Sequence, residues 1–333
     1  MAESKISTSG LVLIDKPAGI TSHDVVARVR RLAGTKKVGH AGTLDPMATG
    51  LLVLGINSAT KLLTFVVGQD KTYLATIRLG AATVTDDAEG DFLDLDEAAS
   101  AHAAQKLESL ASATGEVAVD PILSVISGLT GEILQVPSSV SAIKVDGERA
   151  YALVRGGDEV KLKPRPVKVS RFDLLGVPRV VVDSELKRKF IDLDVVVDCS
   201  SGTYIRALAR DLGAGLGVGG HLTALRRTRI GGYDLGSAQV LPEREQVAAL
   251  ITGPKALPLG GLFVEPIALA AARRFETVNL DAEQTTDLRH GKRIKSDGQT
   301  SDVAAIGANG ELVAILTPAG KSEFKSLVVF SDV

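Results

Sequence analysis

Tryptophan is absent from this chain of 333 residues, and aromatic residues make up only 4% of it. Its core must therefore be built from aliphatic side chains. There is one cysteine, Cys199, which excludes an intrachain disulfide and a thiolate metal cage. On the alternating segment where it sits, that cysteine reads as packing and not as a nucleophile. No apolar run approaches the ~18 residues of a membrane-spanning helix. The opening "MAESKISTSG" is polar and leads into only the short apolar stretch "LVLI". Neither a signal peptide nor a membrane anchor is expected, and the expected location is cytoplasmic. Net charge of one sign is also missing: 38 Lys and Arg stand against 40 Asp and Glu. That balance is uneven along the chain. Residues 1–80 hold ten basic and five acidic side chains, and residues 81–120 hold one and ten. A near-neutral total can thus hide basic surfaces on either side of an acidic segment.

Aliphatic patterning is abundant. Residues 11–14 suggest a short buried strand, followed by the turn "DKPAG". "TSHDVVARVRRLAG" reads as a helix, with Thr21 and Asp24 as a capping box, Val25, Val29 and Leu32 on one face, and Gly34 as its stop. A strand is expected over 72–80 and a helix over 98–112. In "FIDLDVVVDCS", Ile191, Leu193, Val195 and Val197 alternate with Asp192, Asp194, Val196 and Asp198, the pattern of a half-buried strand. "GTYIRALARDLGAGLG" follows as a helix. The Pro- and Gly-rich stretch 251–261 is the best candidate for a linker. It divides a large domain, 1–250, from a small strand-rich module, 262–333, with helices near 266–274 and 281–289 and strands at "VAAIG", "LVAIL" and "SLVVF".

Three motif fragments fail on context. "GLGVGG" at 215–220 follows a helix, whereas a dinucleotide-binding loop follows a strand. "GTKKVGH" at 34–40 has His40 where a phosphate-binding loop needs Lys. The acidic run "DDAEGD" at 86–91 lacks a proper calcium-ligand series and is expected to be a solvated loop. No cofactor or metal site is expected.

Reactive side chains concentrate in four segments: "DKPAGITS" (15–22), "GHAGTLDPMATGLL" (39–52), "DKTYLATIRLG" (70–80) and "CSSGTYIRALARDLG" (199–213). Together they resemble the TruB family of tRNA pseudouridine synthases. "VPSSVSAIKVDGERAY" (136–151), "LKPRPV" (162–167) and "HLTALRRTRIGGY" (221–233) follow in that family's order, so the resemblance spans residues 10–235. The C-terminal module, with "LRHGKRI" at 288–294, looks like a PUA-type RNA-binding domain. The resemblance implies an α/β (α+β) fold: a catalytic domain on a mixed, largely antiparallel sheet, plus the small PUA-like domain. It further implies isomerisation of uridine 55 in the T-loop of tRNA, by base flipping and without a cofactor. The implied partner is the tRNA T-arm stem-loop, met by a monomer with no obligate protein partner and no membrane.

Residue by residue, the resemblance assigns Asp45 as the catalytic carboxylate, Arg206 as its ion-pair partner and Tyr73 as the active-site tyrosine. Physical chemistry is compatible with each role. Forming a new C–C bond in place of a glycosidic C–N bond, with no redox change, calls for a carboxylate at the sugar or base. An adjacent guanidinium keeps such a carboxylate ionised. An aromatic ring can stack on an extruded base. His40 stands five residues before Asp45 and invites a general-base reading, but the resemblance makes it a wedge stacked in the RNA. Lys16 and Lys71 are expected as phosphate or structural contacts, Leu225 as a residue packing on the flipped base, and Arg226 and Arg227 as phosphate contacts. Two rivals are a non-catalytic RNA-folding protein of the same shape and a glycosidase, which would need a second carboxylate facing the sugar.

Overall fold

A computed structural model describes residues 9–112, 115–138, 144–145, 148–149, 162–186, 188–252, 258–320 and 322–330. Most of the segment 136–151, and residues 253–257 of the expected linker, lie outside the described residues.

From the N-terminal end the chain forms β1 (Gly10–Lys16), α1 (Ser22–Ala33), β2 (Val38–Ala41), β3 (Thr49–Ile56) and α2 (Leu63–Val67). The expected caps are present. Thr21 and Asp24 form a reciprocal capping box, and Gly34 closes α1 in the left-handed conformation at φ 60°. There follow β4 (Lys71–Leu79), α3 (Glu97–Leu110), α4 (Val119–Gly128), β5 (Gly131–Gln135) and the short pair β6 (Lys144–Val145) and β7 (Glu148–Arg149). Next come β8 (Arg165–Leu174), β9 (Arg179–Asp183), β10 (Arg188–Cys199), α5 (Ile205–Leu216) and β11 (Gly220–Ile230). The last stretch holds β12 (Tyr233–Asp234), β13 (Gln239–Val240), α6 (Gln246–Thr252), β14 (Glu265–Pro266) and α7 (Ile267–Ala272). It ends with β15 (Glu276–Asn279), α8 (Ala282–Arg289), β16 (Ile294–Lys295), β17 (Val303–Ile306), β18 (Leu312–Pro318) and β19 (Glu323–Val329).

These elements form two compact units, one drawn from Met1–Gly68 with Arg229–Val333, the other from Gln69–Thr228. In the first, strands run in the order β13-β1-β3, with β14 beside β1 and β2 beside β3. A five-stranded sheet, β15-β17-β18-β19-β16, belongs to the same unit. In the second unit the order is β11-β4-β10-β8-β5, with β9 beside β10. Strand pairing is antiparallel apart from β1 with β13 and β15 with β17 among the described registers. The expected mixed, largely antiparallel architecture with a strand-rich C-terminal module is therefore observed.

The uninterrupted apolar runs of β1 and β3 have a simple cause: both faces of these strands are covered. Leu11, Leu13, Leu51 and Val53 point to one side, where they join Ala270, Phe275, Ala304, Ile315 and Phe330 of the C-terminal stretch. Val12, Ile14, Leu52 and Leu54 point to the other, against Val25, Val26, Val29 and Leu32 of α1. The C-terminal module thus shares a core with the N-terminal strands.

In the second unit β4 alternates: Lys71, Tyr73, Ala75, Ile77 and Leu79 are buried. Its other face pairs with the aspartates of β10. Thr76 Oγ1 donates to Asp194 at 2.7 Å, Thr72 donates to Asp198, and Arg78 makes a two-pronged contact to Asp192 at 2.7 and 2.8 Å. The polar side of β10 is more enclosed than a half-buried strand implies. Asp192 and Val196 are buried, because Arg78 caps Asp192 and β8 pairs alongside.

Candidate active site

The "DKPAGITS" and "GHAGTLDPMATGLL" segments form two loops of the first unit that are sewn together. Lys16 leaves the end of β1 fully buried, and its Nζ donates to the carbonyls of Pro17 (2.8 Å), Ile20 (2.7 Å) and Pro46 (3.2 Å). The Gly19 N–H also donates to Pro46 O, at 2.9 Å. At the first turn of α1, Ser22 Oγ donates to Leu44 O (3.0 Å) and accepts from Leu44 N (2.9 Å). Between these fastenings Asp45-Pro46-Met47-Ala48 makes a turn closed by Ala48 N to Asp45 O at 3.1 Å, with proline at its second position. Gly42, at φ 86°, supplies the backbone bend that precedes it. Asp45 stands half-buried at the start of this turn. His40, on β2, sets its ring edge-on to His23 of α1, with centroids 5.7 Å apart. Lys16, expected as a phosphate or structural contact, has its buried ammonium engaged with loop carbonyls, the geometry of a clamp between the two loops.

The second unit carries the remaining candidates. Tyr73 is buried on β4, directly across from Val197. Lys71 lies two residues before it on the same face, with Nζ donating to Gln69 O at 2.7 Å. Burial, reinforced by the neighbouring Arg227 charge, pushes the Lys71 pKa down to about 8. Cys199 faces Lys71 in register, and burial pushes its thiol up to about 11, the behaviour of a packing residue. On β11, Leu225 and Arg227 share the buried face, whereas Arg226 is half-exposed on the other. Arg227 is only 1% exposed. Strand alternation turns this guanidinium inward, beside Lys71, and turns Arg226 to the half-exposed face.

Arg206 projects from the first turn of α5 and is buried, which rules out a merely superficial helix contact. Its Nη1 donates to Thr85 O (2.9 Å) and Ser138 Oγ (3.3 Å) and lies 3.4 Å from the Asp87 carboxylate. One turn on, Arg210 meets Asp86 at 3.2 Å and donates to Val136 O at 2.7 Å. Two like charges at this helical spacing repel, and two adjacent carboxylates answer them. The acidic run 86–91, expected to be a solvated loop, is exposed at Glu89 and Asp91, but its first two residues form a buried counter-ion site. Asp86 and Asp87 are 6% and 2% exposed. Asp86 adopts φ 60°, a left-handed conformation that aspartate tolerates better than most residues. Burial raises the Asp86 pKa, with Arg210 opposing the rise. Asp87 is further fixed by Thr85 Oγ1 (2.5 Å) and the Glu89 N–H (3.0 Å). These two aspartates and Ser22 were missed by sequence reasoning. The pointer to the aspartates was the Arg206–Arg210 pair, whose repulsion on a buried helix demands carboxylates from elsewhere.

Within the units, the structure brings Lys16, Ser22 and the Asp45 turn together, places Lys71 beside Arg227, and joins Arg206 to the 85–87 loop. Among the described residues no group of three or more His, Cys, Asp or Glu side chains is arranged to hold a metal ion. No helix among them is long and apolar enough to cross a membrane.

Comparison with known proteins gives consistent results. Residues 30–205 match the family model described as TruB family pseudouridylate synthase, N-terminal domain. Residues 206–251 match the tRNA pseudouridylate synthase B C-terminal domain, and 275–331 match tRNA pseudouridine synthase II, C-terminal. A protein named tRNA pseudouridine synthase B from Leifsonia xyli subsp. xyli is 55% identical over 326 residues, covering 97% of this chain and 96% of that one. Its namesake from Streptomyces griseus subsp. griseus is 46% identical over 332 residues, covering 99% and 100%. Among solved structures, a chain of an H/ACA RNP bound to a substrate RNA containing 2'-deoxyuridine superposes with a TM-score of 0.66 at 22% identity, over 98% of this chain and 86% of that one. That likeness supports the fold.

Proposed function

The chain belongs to the TruB family of pseudouridylate synthases, and from that membership we propose that it isomerises uridine 55 in the T-loop of tRNA, with Asp45 as the catalytic carboxylate and no cofactor. Pseudouridine synthesis in tRNA is the activity for which its full-length relatives are named. The reaction breaks the bond from C1′ to N1, turns the uracil, and joins C5 to C1′. The C5 proton is lost to solvent and N1 regains one, so atoms and electrons balance without a co-reactant. A flipped, unstacked loop base is accessible to such a site, whereas the edges inside an A-form major groove are not.

The observation that carries this reading is the Asp45 turn, which is held from both sides by Lys16 and Ser22 and in which Asp45 is half-buried. A fixed backbone confines where the carboxylate can reach, which favours catalysis by positioning. Three steps are open to it: attack at C1′, addition at C6, and removal of a ribose proton. Arg206 keeps it ionised in this proposal, and is itself oriented by Asp87 and Thr85. Tyr73 stacks on the extruded uracil, Leu225 packs against it, His40 fills the space it vacates, and Lys71 and Arg226 supply positive charge toward the backbone. In this proposal residues 1–250 carry the catalytic role and 262–333, joined to them through 251–261 and sharing a core with the N-terminal strands, serve as the PUA-like RNA-binding part. The protein works as a cytoplasmic monomer on the T-arm.

Asp45→Asn should lower tritium release from C5-labelled uridine in tRNA by about 10⁴-fold or more, the scale of removing an essential nucleophile. Filter binding of the T-arm stem-loop should survive. Turnover at the parental rate would overturn the assignment.

A further inference from the structure

The basic surplus of residues 1–80 is not used up by the site above. Much of it lies along and just beyond α1, as Arg28, Arg30, Arg31, Lys36 and Lys37. Asp24, Ala27, Arg28 and Arg31 stand at helical spacing on one stripe of α1. Across from them are Arg244 and Val247, just before and within α6, and together they border a groove of about 410 Å³ whose floor is apolar. Everything that lines it belongs to the first unit.

The charge in this groove is answered only in part from within: Arg28 meets Glu243, and Asp24, whose carboxyl pKa is held down first by its hydrogen bonds from Thr21, also feels the charges of Arg28 and Arg244. Asp24 spends its carboxylate on the capping box, accepting from Thr21 N at 2.9 Å and Thr21 Oγ1 at 2.6 Å. Arg28 is tied to Pro242 O at 3.3 Å and to Glu243 at 3.5 Å. Arg31 and Arg244 are exposed, and neither has an ion-pair partner among the described residues. Two exposed guanidinium groups without a direct ion pair among the described residues, above an apolar floor, match a phosphodiester backbone with its sugars packed beneath. The groove also has a fixed relation to the Asp45 turn. Ser22, in the first turn of α1, holds Leu44, and Ile20 at the groove's end takes a hydrogen bond from Lys16. From Asp24 to Arg31 the helix rises about 10 Å.

We propose that this α1–α6 groove is a second RNA contact, in which Arg31 and Arg244 hold the phosphodiester backbone that flanks the nucleotide presented to the Asp45 turn. The inference rests on the reading that RNA is the substrate of that turn. RNA is favoured over an acidic peptide because the groove is built onto the same helix that anchors the catalytic loop.

The test uses the full chain and unmodified tRNA transcript, with filter binding over a series of KCl concentrations. Arg31→Gln with Arg244→Gln should raise the Kd about tenfold at moderate salt and shrink the slope of log Kd against log salt by about 1.5, the share of two phosphate contacts. Arg31→Lys with Arg244→Lys should restore the slope. Ala27→Glu, which sets a negative charge on an exposed position of the stripe, should weaken binding without touching either arginine. A parental Kd and slope in both the glutamine pair and Ala27→Glu would overturn the proposal. Tritium release by the parental protein, measured on the same tRNA, separates the two readings. Its absence counts against the proposed function, whereas its presence with unaltered salt dependence in the variants counts against the groove alone.

Discussion

At the scale of single residues, the chain uses buried charge where a sequence suggests solvent. Asp87 and Arg206 are each almost fully enclosed, so removing Asp87 takes the neighbouring carboxylate from a buried guanidinium whose other contacts in this unit include the neutral acceptors Thr85 O and Ser138 Oγ. Asp87→Ala should lower the unfolding free energy in urea by about 3 kcal/mol, the usual cost of breaking a buried pair. Replacing both, as Asp87→Leu with Arg206→Met, should return much of that stability while activity stays lost. Lys71 gives a pH signature. Its folded pKa is about 8 against an ordinary 10.5. Between those values the unfolded chain binds more protons than the folded one, so this residue's contribution makes stability rise with pH across that window. Urea titrations at pH 8 and pH 10 should show a smaller rise in Lys71→Met than in the parent. Asp45 was legible from its turn signature and flanking segment. Asp86 and Asp87 were not, because burial depends on what packs over a loop, and hydrophilic letters do not carry that information.

At the scale of elements, local rules performed well where the determining groups are neighbours in sequence. Thr21, Asp24 and Gly34 bound α1 within its own fourteen residues, Thr21 to Gly34. The glycine-rich end of α5 is different. "GLGVGG" looks like a nucleotide loop, but its glycines and Gly213 serve close packing. A Cβ on Gly213 would lie 2.2 Å from the backbone of Gly219 and Gly220. The helix ends at Gly217, in the left-handed region at φ 72°, and the chain folds straight back into β11. Gly213→Ala should therefore cost at least about 2 kcal/mol by thermal or urea unfolding, from overpacking against backbone that cannot yield. The β10 aspartates show both sides of legibility. Alternation located the strand, but the partners of Asp192, Asp194 and Asp198 on β4 lie more than a hundred residues away.

At the scale of the whole molecule, the C-terminal stretch is the main surprise. The sequence presents it as a module behind a Pro- and Gly-rich linker, which suggests that it can be removed. The core instead joins Phe275, Ile315 and Phe330 to Leu11, Leu13, Leu51 and Val53. Phe65 of α2 meets Phe275 edge-on at 5.2 Å, and Lys61 Nζ donates to Val329 O at 2.9 Å. Ending the chain at residue 261 should uncover a continuous apolar face and give an aggregating product, read by light scattering and dye binding. A monomeric, cooperatively folding truncation would contradict this.

The sequence by itself determined β1, β4 and β10, the helices α1, α3 and α5, the strand-rich character of the C-terminal stretch, the caps of α1, the family and the turn that carries Asp45. Each follows from groups close together along the chain or from motifs in fixed order. Only the tertiary structure decided which charges are buried, that Lys16 is a clamp and Arg227 faces inward, and that the last seventy or so residues complete the first core. Those outcomes depend on which distant surfaces meet, and the energy of a charge or an apolar face is set by what covers it.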